Sequence, residues 1–162
     1  MNRMIAIIAM MMSLLIQPIF PQAKVEEDTI ANIKRLAEQG NAAGQYMLGV
    51  MYLKGEGVPQ NYQKAVGWWR LAAEQGYATA QFHLGAMYFM GKGLPQDYVQ
   101  AHMWTNLSIS RLLREFPSEM TDRIGELAHQ MRDLITDMMT PEQIAKAQQL
   151  AHEWKPKGSG SQ

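Results

Sequence analysis

Between residues 37 and 108 apolar side chains recur at steps of three and four, the spacing of one buried helical face. Ala42, Gln45, Leu48, Gly49 and Tyr52 share one such face, and Ala78, Gln81, Leu84, Gly85 and Tyr88 repeat it. Ala65, Trp68 and Leu71 give the stripe of a second helix, echoed by Ala101, Trp104 and Leu107. Further on, Met120, Ile124, Leu127, Met131, Leu134 and Met138 predict a long amphipathic helix over 118–139. Ile144, Ala147, Ala151 and Trp154 predict one more, opened by Thr140-Pro141-Glu142-Gln143, a capping box with proline at the first helical position. The chain therefore reads as all-α.

The two helix pairs are copies of each other. At an offset of 36, "AEQGNAAGQYMLGVMYLKGEGVPQNYQKAVGWWRLA" (37–72) lies over "AEQGYATAQFHLGAMYFMGKGLPQDYVQAHMWTNLS" (73–108), with about half the positions identical. A helical period in this range is the mark of a solenoid, in which stacked units bury a continuous core. Gly55 and Gly91 end the first helix of each unit, Pro59 and Pro95 prevent its continuation, and Asn61 and Asp97 stand where the second helix needs an N-cap. A mid-helix glycine costs about 1 kcal/mol against alanine, so the recurrence of Gly49 at Gly85 predicts close approach of a neighbouring helix. The paired Trp68 and Trp104 are expected as core pegs. Gly67 has no such explanation in the pattern.

The run A-x-x-Q-x-x-L-G-x-M-Y-x-x-G-x-G-x-P-Q-x-Y-x-x-A-x-x-W-x-x-L, present in both copies, resembles the Sel-1-like repeat, a relative of the tetratricopeptide repeat. Residues 28–40, "DTIANIKRLAEQG", resemble the second helix of a preceding, degenerate unit, and "MTPEQIAKAQQLAHEW" (139–154) is similar to the closing helix of small exported members. The resemblance implies an α/α superhelical solenoid that works as a protein-interaction scaffold, commonly in bacterial envelopes. One cysteine-rich branch of the family has been linked to β-lactam binding or hydrolysis, which leaves a cell-wall or β-lactam hydrolase as the alternative by analogy; this chain has no cysteine. The expected organisation is an N-terminal capping helix at 24–40, repeats at 41–76 and 77–112, capping helices at 113–155 and a flexible tail at 156–162.

The first 23 residues read as a signal peptide. Arg3 precedes an apolar run, Met4–Ile16, interrupted by Ser13, and Pro18 and Pro21 close it before Ala23. That run is too short for a membrane span and suits a secretory h-region, so a periplasmic or secreted protein without a stable span after cleavage is expected. With no cysteine, neither disulfides nor thiolate metal sites are available. Basic and acidic residues balance at 15 each, which offers no basic face for nucleic acid.

Candidate chemistry is sparse. No nucleophile elbow, zinc-binding H-E-x-x-H or phosphate loop is present, and the "GEG" and "GKG" runs lead into Val-Pro and Leu-Pro as turns. Glu126 and His129 have the spacing of one carboxylate–histidine pair of a diiron site, but a site needs two such pairs. No catalytic residue, cofactor or metal is assigned. What differs between the copies is more informative: Ala43, Met47, Val50 and Lys54 become Thr79, His83, Ala86 and Met90. These positions form a stripe opposite the shared face. Freedom to differ predicts solvent exposure, and Met47, Val50 and Met90 are apolar for such a place. The stripe is thus the expected partner-binding groove, for a peptide or helix of another envelope or secreted protein. Open ends on a two-unit stack also allow self-association.

Overall fold

The structure is a computed structural model that describes residues 27–115 and 119–157, with side chains over 29–112 and 122–157. The expected signal segment and the last five residues of the tail lie outside the described residues. Among the described residues seven helices follow one another: α1 (Glu27–Glu38), α2 (Ala42–Lys54), α3 (Tyr62–Glu74), α4 (Ala78–Met90), α5 (Tyr98–Glu115), α6 (Glu119–Thr136) and α7 (Pro141–Glu153). No strand occurs among the described residues.

The two repeats fold by the same local devices. Gly55 and Gly91 close α2 and α4 in the left-handed region, at φ 77° and 65°, where a Cβ would be strained. The Asn61 side chain accepts from Lys64 N at 2.9 Å, and Asp97 Oδ1 accepts from Gln100 N at 3.0 Å, each satisfying an orphan amide at the start of α3 or α5. Between cap and helix, Gln60 Nε2 and Gln96 Nε2 donate to the Leu53 and Phe89 carbonyls, both at 2.7 Å. The glutamine after each proline thus ties the turn to the helix it has just left.

Successive units are joined by a buried glutamine. Gln45 Nε2 donates to the Ala37 carbonyl at 3.3 Å, and Gln81 Nε2 donates to the Ala73 carbonyl at 3.1 Å. A buried amide must find a partner, and here it shares the carbonyls at the end of the preceding unit's helix, which also accept from Gly40 N and Gly76 N. Because Gln45 treats α1 as Gln81 treats α3, α1 stands as the second helix of a preceding unit. A small core of Ile33, Ala37, Leu48, Met51 and Val58 seals that joint, and a larger core runs from α2 to α6.

Gly49 and Gly85 sit at close helix crossings. A Cβ at Gly49 would meet the Trp69 indole (2.5 Å from Cδ1), and one at Gly85 would stand 2.7 Å from Thr105 Oγ1 and 3.1 Å from the Ala101 carbonyl oxygen. The vacated volume lets Trp69 bury itself completely while its Nε1–H donates to the Tyr46 carbonyl at 3.1 Å. Trp69, then, is the peg of the first repeat. The expected stripe of Ala65, Trp68 and Leu71 is corrected here: Ala65, Val66, Trp69, Ala72 and Ala73 face inward, Trp68 is half-buried and Leu71 is 45% exposed. Trp68 packs its buried part against the small core of α1 and α2, whereas Trp104, at the same position of the second repeat, is buried.

In the second repeat that position is covered. α6 packs on α5 and touches α4, as the first helix of a third unit would. α7 does not complete that unit; its main neighbour is α5, with Trp154 meeting Trp104 edge-on at 6.1 Å between ring centroids. Thr140 caps α7 through the capping box expected from its sequence. Beyond the helix, Lys157 N donates to the Glu74 carbonyl and Lys157 Nζ pairs with the Glu74 carboxylate, both at 2.7 Å. The start of the tail is therefore held against the end of α3.

Candidate functional site

The stripe that differs between the repeats divides in two. Ala43 is exposed on α2, with Met47, Val50 and Lys54 half-buried along the same side. The Lys54 side chain is largely covered, and its ammonium lies 3.5 Å from Glu56. On α4, Thr79 and Met90 are half-buried, whereas His83 is 4% exposed and Ala86 is fully buried. Solvent exposure, expected for all eight, fails for His83 and Ala86.

The reason lies in the stacking. This side of α4 faces the preceding unit: the His83 ring lies 4.8 Å from Trp69 and 5.4 Å from Tyr46, centroid to centroid, with Phe82 at 5.6 Å. On the matching side of α2, Met47 packs against both the small and the large core and Val50 against the large one, and both stay half-buried. The stripe differs between copies because each copy meets a different neighbour. Variation between copies marks a non-repeating joint as well as a solvated face.

His83 is held neutral. Its Nδ1 is 2.9 Å from the Thr79 carbonyl, so Nδ1 carries the donated proton, and burial drives its pKa down to about 4, against a smaller opposing effect of that hydrogen bond. Tyr46 lies 5.3 Å from Tyr77, and burial raises both phenols, with Tyr77 adding to the effect on Tyr46. The Tyr46 hydroxyl has no hydrogen-bond partner among the described residues. A neutral imidazole walled by rings supports packing, and its polar partner among the described residues is the Thr79 carbonyl. His102, buried on α5, is lowered by burial and then by the Arg132 charge. Glu126 is exposed and His129 half-buried, and the described residues contain no cluster of three or more His, Asp or Glu able to hold a metal.

The outward aromatics are paired with cations. Lys64 Nζ stands 5.2 Å from the Tyr52 ring centroid, Lys92 Nζ 5.6 Å from that of Tyr62, and Arg70 donates to the Tyr88 hydroxyl at 2.9 Å. Across the second joint, Arg111 Nη1 donates to the Gly76 carbonyl at 3.1 Å and its guanidinium lies 5.5 Å from the Trp154 centroid.

This geometry, a cap-turn-cap unit repeated with a buried glutamine at each joint, has a known counterpart. The family model described as Sel1 repeat matches residues 42–77 and 78–111. The chain carries two Sel1 repeats. Solved structures agree. A protective antigen present in uropathogenic Escherichia coli strains, displaying an SLR fold, is 29% identical with a TM-score of 0.66 over 78% of this chain and 25% of its own length. A Sel1 repeat protein from Oxalobacter formigenes is 26% identical with a TM-score of 0.54, over 82% of this chain and 58% of its own. The chain thus spans about a quarter of the first relative and somewhat over half of the second. No curated protein matches it. Sel1 repeats generally build scaffolds for protein–protein interaction. Among the described residues no helix is long and apolar enough to cross a membrane.

Proposed function

We propose that this Sel1-repeat protein is an exported adaptor that binds a peptide or helix of an envelope protein and performs no chemistry. The carrying observation is the set of half-exposed apolar side chains Met47, Val50 and Met90 on the first helices of the two repeats. Side chains of this kind anchor partners when they leave water, and methionine adapts to more than one shape. Ala43, Lys54 and Thr79 border them; His83 and Ala86 act from beneath by fixing how α4 sits on the first repeat. Export rests on the signal-like composition of residues 1–23.

The test is cross-linked capture from an envelope fraction with the unaltered protein and with Met47, Val50 and Met90 changed together to Glu. The variant is expected to keep its helical circular dichroism and to lose the envelope protein that the parent captures. A folded variant that still captures it rules out this face. N-terminal sequencing is expected to find a mature start near Lys24, and an intact Met1 on cytoplasmic protein would remove export from the reading.

A further inference from the structure

α3 carries on its outer side the stripe that α7 covers on α5. Trp68 and Leu71 are the counterparts, one repeat earlier, of Trp104 and Leu107. Trp104 is 6% exposed and Leu107 is 8% exposed, while Trp68 is half-buried, with one side against the small core of α1 and α2, and Leu71 is the more exposed of the two large apolar side chains left open among the described residues. Two contacts mark how α7 is held: Trp154 against Trp104, and Lys157 on Glu74 at the end of the preceding helix. Both anchors have counterparts one repeat earlier, in Trp68 and in Glu38 at the end of α1, which is exposed and unpaired among the described residues.

Gly67 directly precedes Trp68 on α3. It is exposed in mid-helix, and a Cβ there would meet nothing within 4 Å. Packing inside the chain accounts for the glycines at 49 and 85. At 67 the described residues supply no neighbour, although such a glycine costs about 1 kcal/mol of helix stability. A helix crossing close over α3 would supply one.

We propose that the outer face of α3 is a docking site for an amphipathic helix of a partner protein built like α7, with an apolar stripe ending in an aromatic residue and a Lys or Arg about three residues beyond it. The aromatic residue packs on Trp68, the stripe covers Leu71 and Gly67, and the cation reaches Glu38. The site is continuous with the α5–α7 interface, because Lys157 already rests at the end of α3 and the incoming helix lies beside α7. Exposed Lys64 and Arg70, which also rest on Tyr52 and Tyr88, stand where α5 has Gln100 and Asn106, so the α7 sequence itself suffices to bind and added carboxylates beside the apolar face strengthen binding. This surface is separate from the Met47, Val50 and Met90 face.

The probe is a fluorescein-labelled peptide with the sequence of residues 139–157, titrated with the full chain and followed by anisotropy. Saturable binding is expected, weakened about tenfold or more by Leu71→Glu, whose fold is checked by circular dichroism and melting. Glu38→Lys is expected to weaken it severalfold, and a peptide carrying Glu in place of the lysine at its 157 position is expected to restore binding to that variant. The triple Met47, Val50 and Met90 variant is expected to bind the peptide unchanged, so this test and that of the adaptor face fail independently. Absence of saturable binding overturns the proposal. Equal affinity for Leu71→Glu also overturns it, since the peptide then exchanges with α7 on α5. If the chain is a dimer without peptide and Leu71→Glu separates it, the occupant is a second copy and the partner helix is overturned.

Discussion

The two repeats share about half their residues, yet α3 and α5 live in different surroundings. α3 has α2 and α4 on its inner side and leaves Leu71 45% exposed; α5 lies under α6 and α7 as well, and Leu107 is 8% exposed. Even the buried polar groups follow: Thr105 and Ser108 on α5 take the places of Trp69 and Ala72, with Thr105 donating back to the Ala101 carbonyl at 2.7 Å and Ser108 donating to the Ala78 carbonyl at 2.9 Å. What is identical between the copies makes turns and joints. What a side chain is buried against depends on the next helix along, and that helix is not repeated.

The largest effect that can break this comparison lies at adjacent tryptophans. Trp69 fills the space above Gly49 and is fully buried, so Trp69→Ala is expected to cost about 3–5 kcal/mol in denaturant unfolding. Trp68→Ala removes a half-exposed ring and is expected to cost about 1 kcal/mol. Trp104→Ala, at the covered counterpart of Trp68, falls between them. Equal losses at 68 and 104 would mean that α7 does not cover the second repeat as described.

The second repeat also differs in acid. His83 titrates near 6.5 when unfolded and near 4 when folded, so between those values the unfolded chain binds a proton that the folded chain refuses. Stability from this group is complete above pH 6.5, falls as pH drops through the window, and is constant below about 4. The whole step is at most about 3 kcal/mol. His102, also lowered, adds in the same direction. His83→Met, which installs the residue the first repeat has at this place, is expected to flatten the fall in unfolding free energy measured between pH 7 and pH 4.5. An unchanged slope would show that His83 is reached by water in the folded chain.

The repeat, its turns, its caps and the close crossings at Gly49 and Gly85 were legible because they are local or are forced by identity at a fixed offset. The capping box at Thr140 was legible for the same reason. Two kinds of fact were not. The rotation of α3 by one residue escaped because Trp68 and Trp69 are adjacent and the shared one drew attention, although only the unshared one is pinned, by a hydrogen bond 23 residues back in sequence. The burial of His83 and Ala86 is not legible in the repeat, because difference between copies arises from a changed neighbour as readily as from freedom from packing. A histidine amid Phe82, Leu84 and Ala86 carried a partial signal, since a helix apolar on all sides is surrounded by others. The return of α7 onto α5 left no trace in the spacing at all.

The smallest expected effect sharpens the same contrast through sign. Gly67 and Gly85 both interrupt helices, and intrinsic propensity alone would have alanine stabilise each by up to about 1 kcal/mol. At Gly67 nothing lies within 4 Å of the added methyl, so Gly67→Ala is expected to raise the unfolding free energy by about 0.5–1 kcal/mol. At Gly85 the methyl meets Thr105 Oγ1 and the Ala101 carbonyl oxygen, and a backbone oxygen in a packed crossing has little room to yield. Overpacking of that kind costs about 1–3 kcal/mol, so Gly85→Ala is expected to be destabilising on balance. Opposite signs in urea unfolding place one glycine on an open face and the other at a joint. Matching signs would remove the distinction between the outer side of α3 and the crossing of α4 with α5, and with it the argument that Gly67 awaits a neighbour from outside the chain.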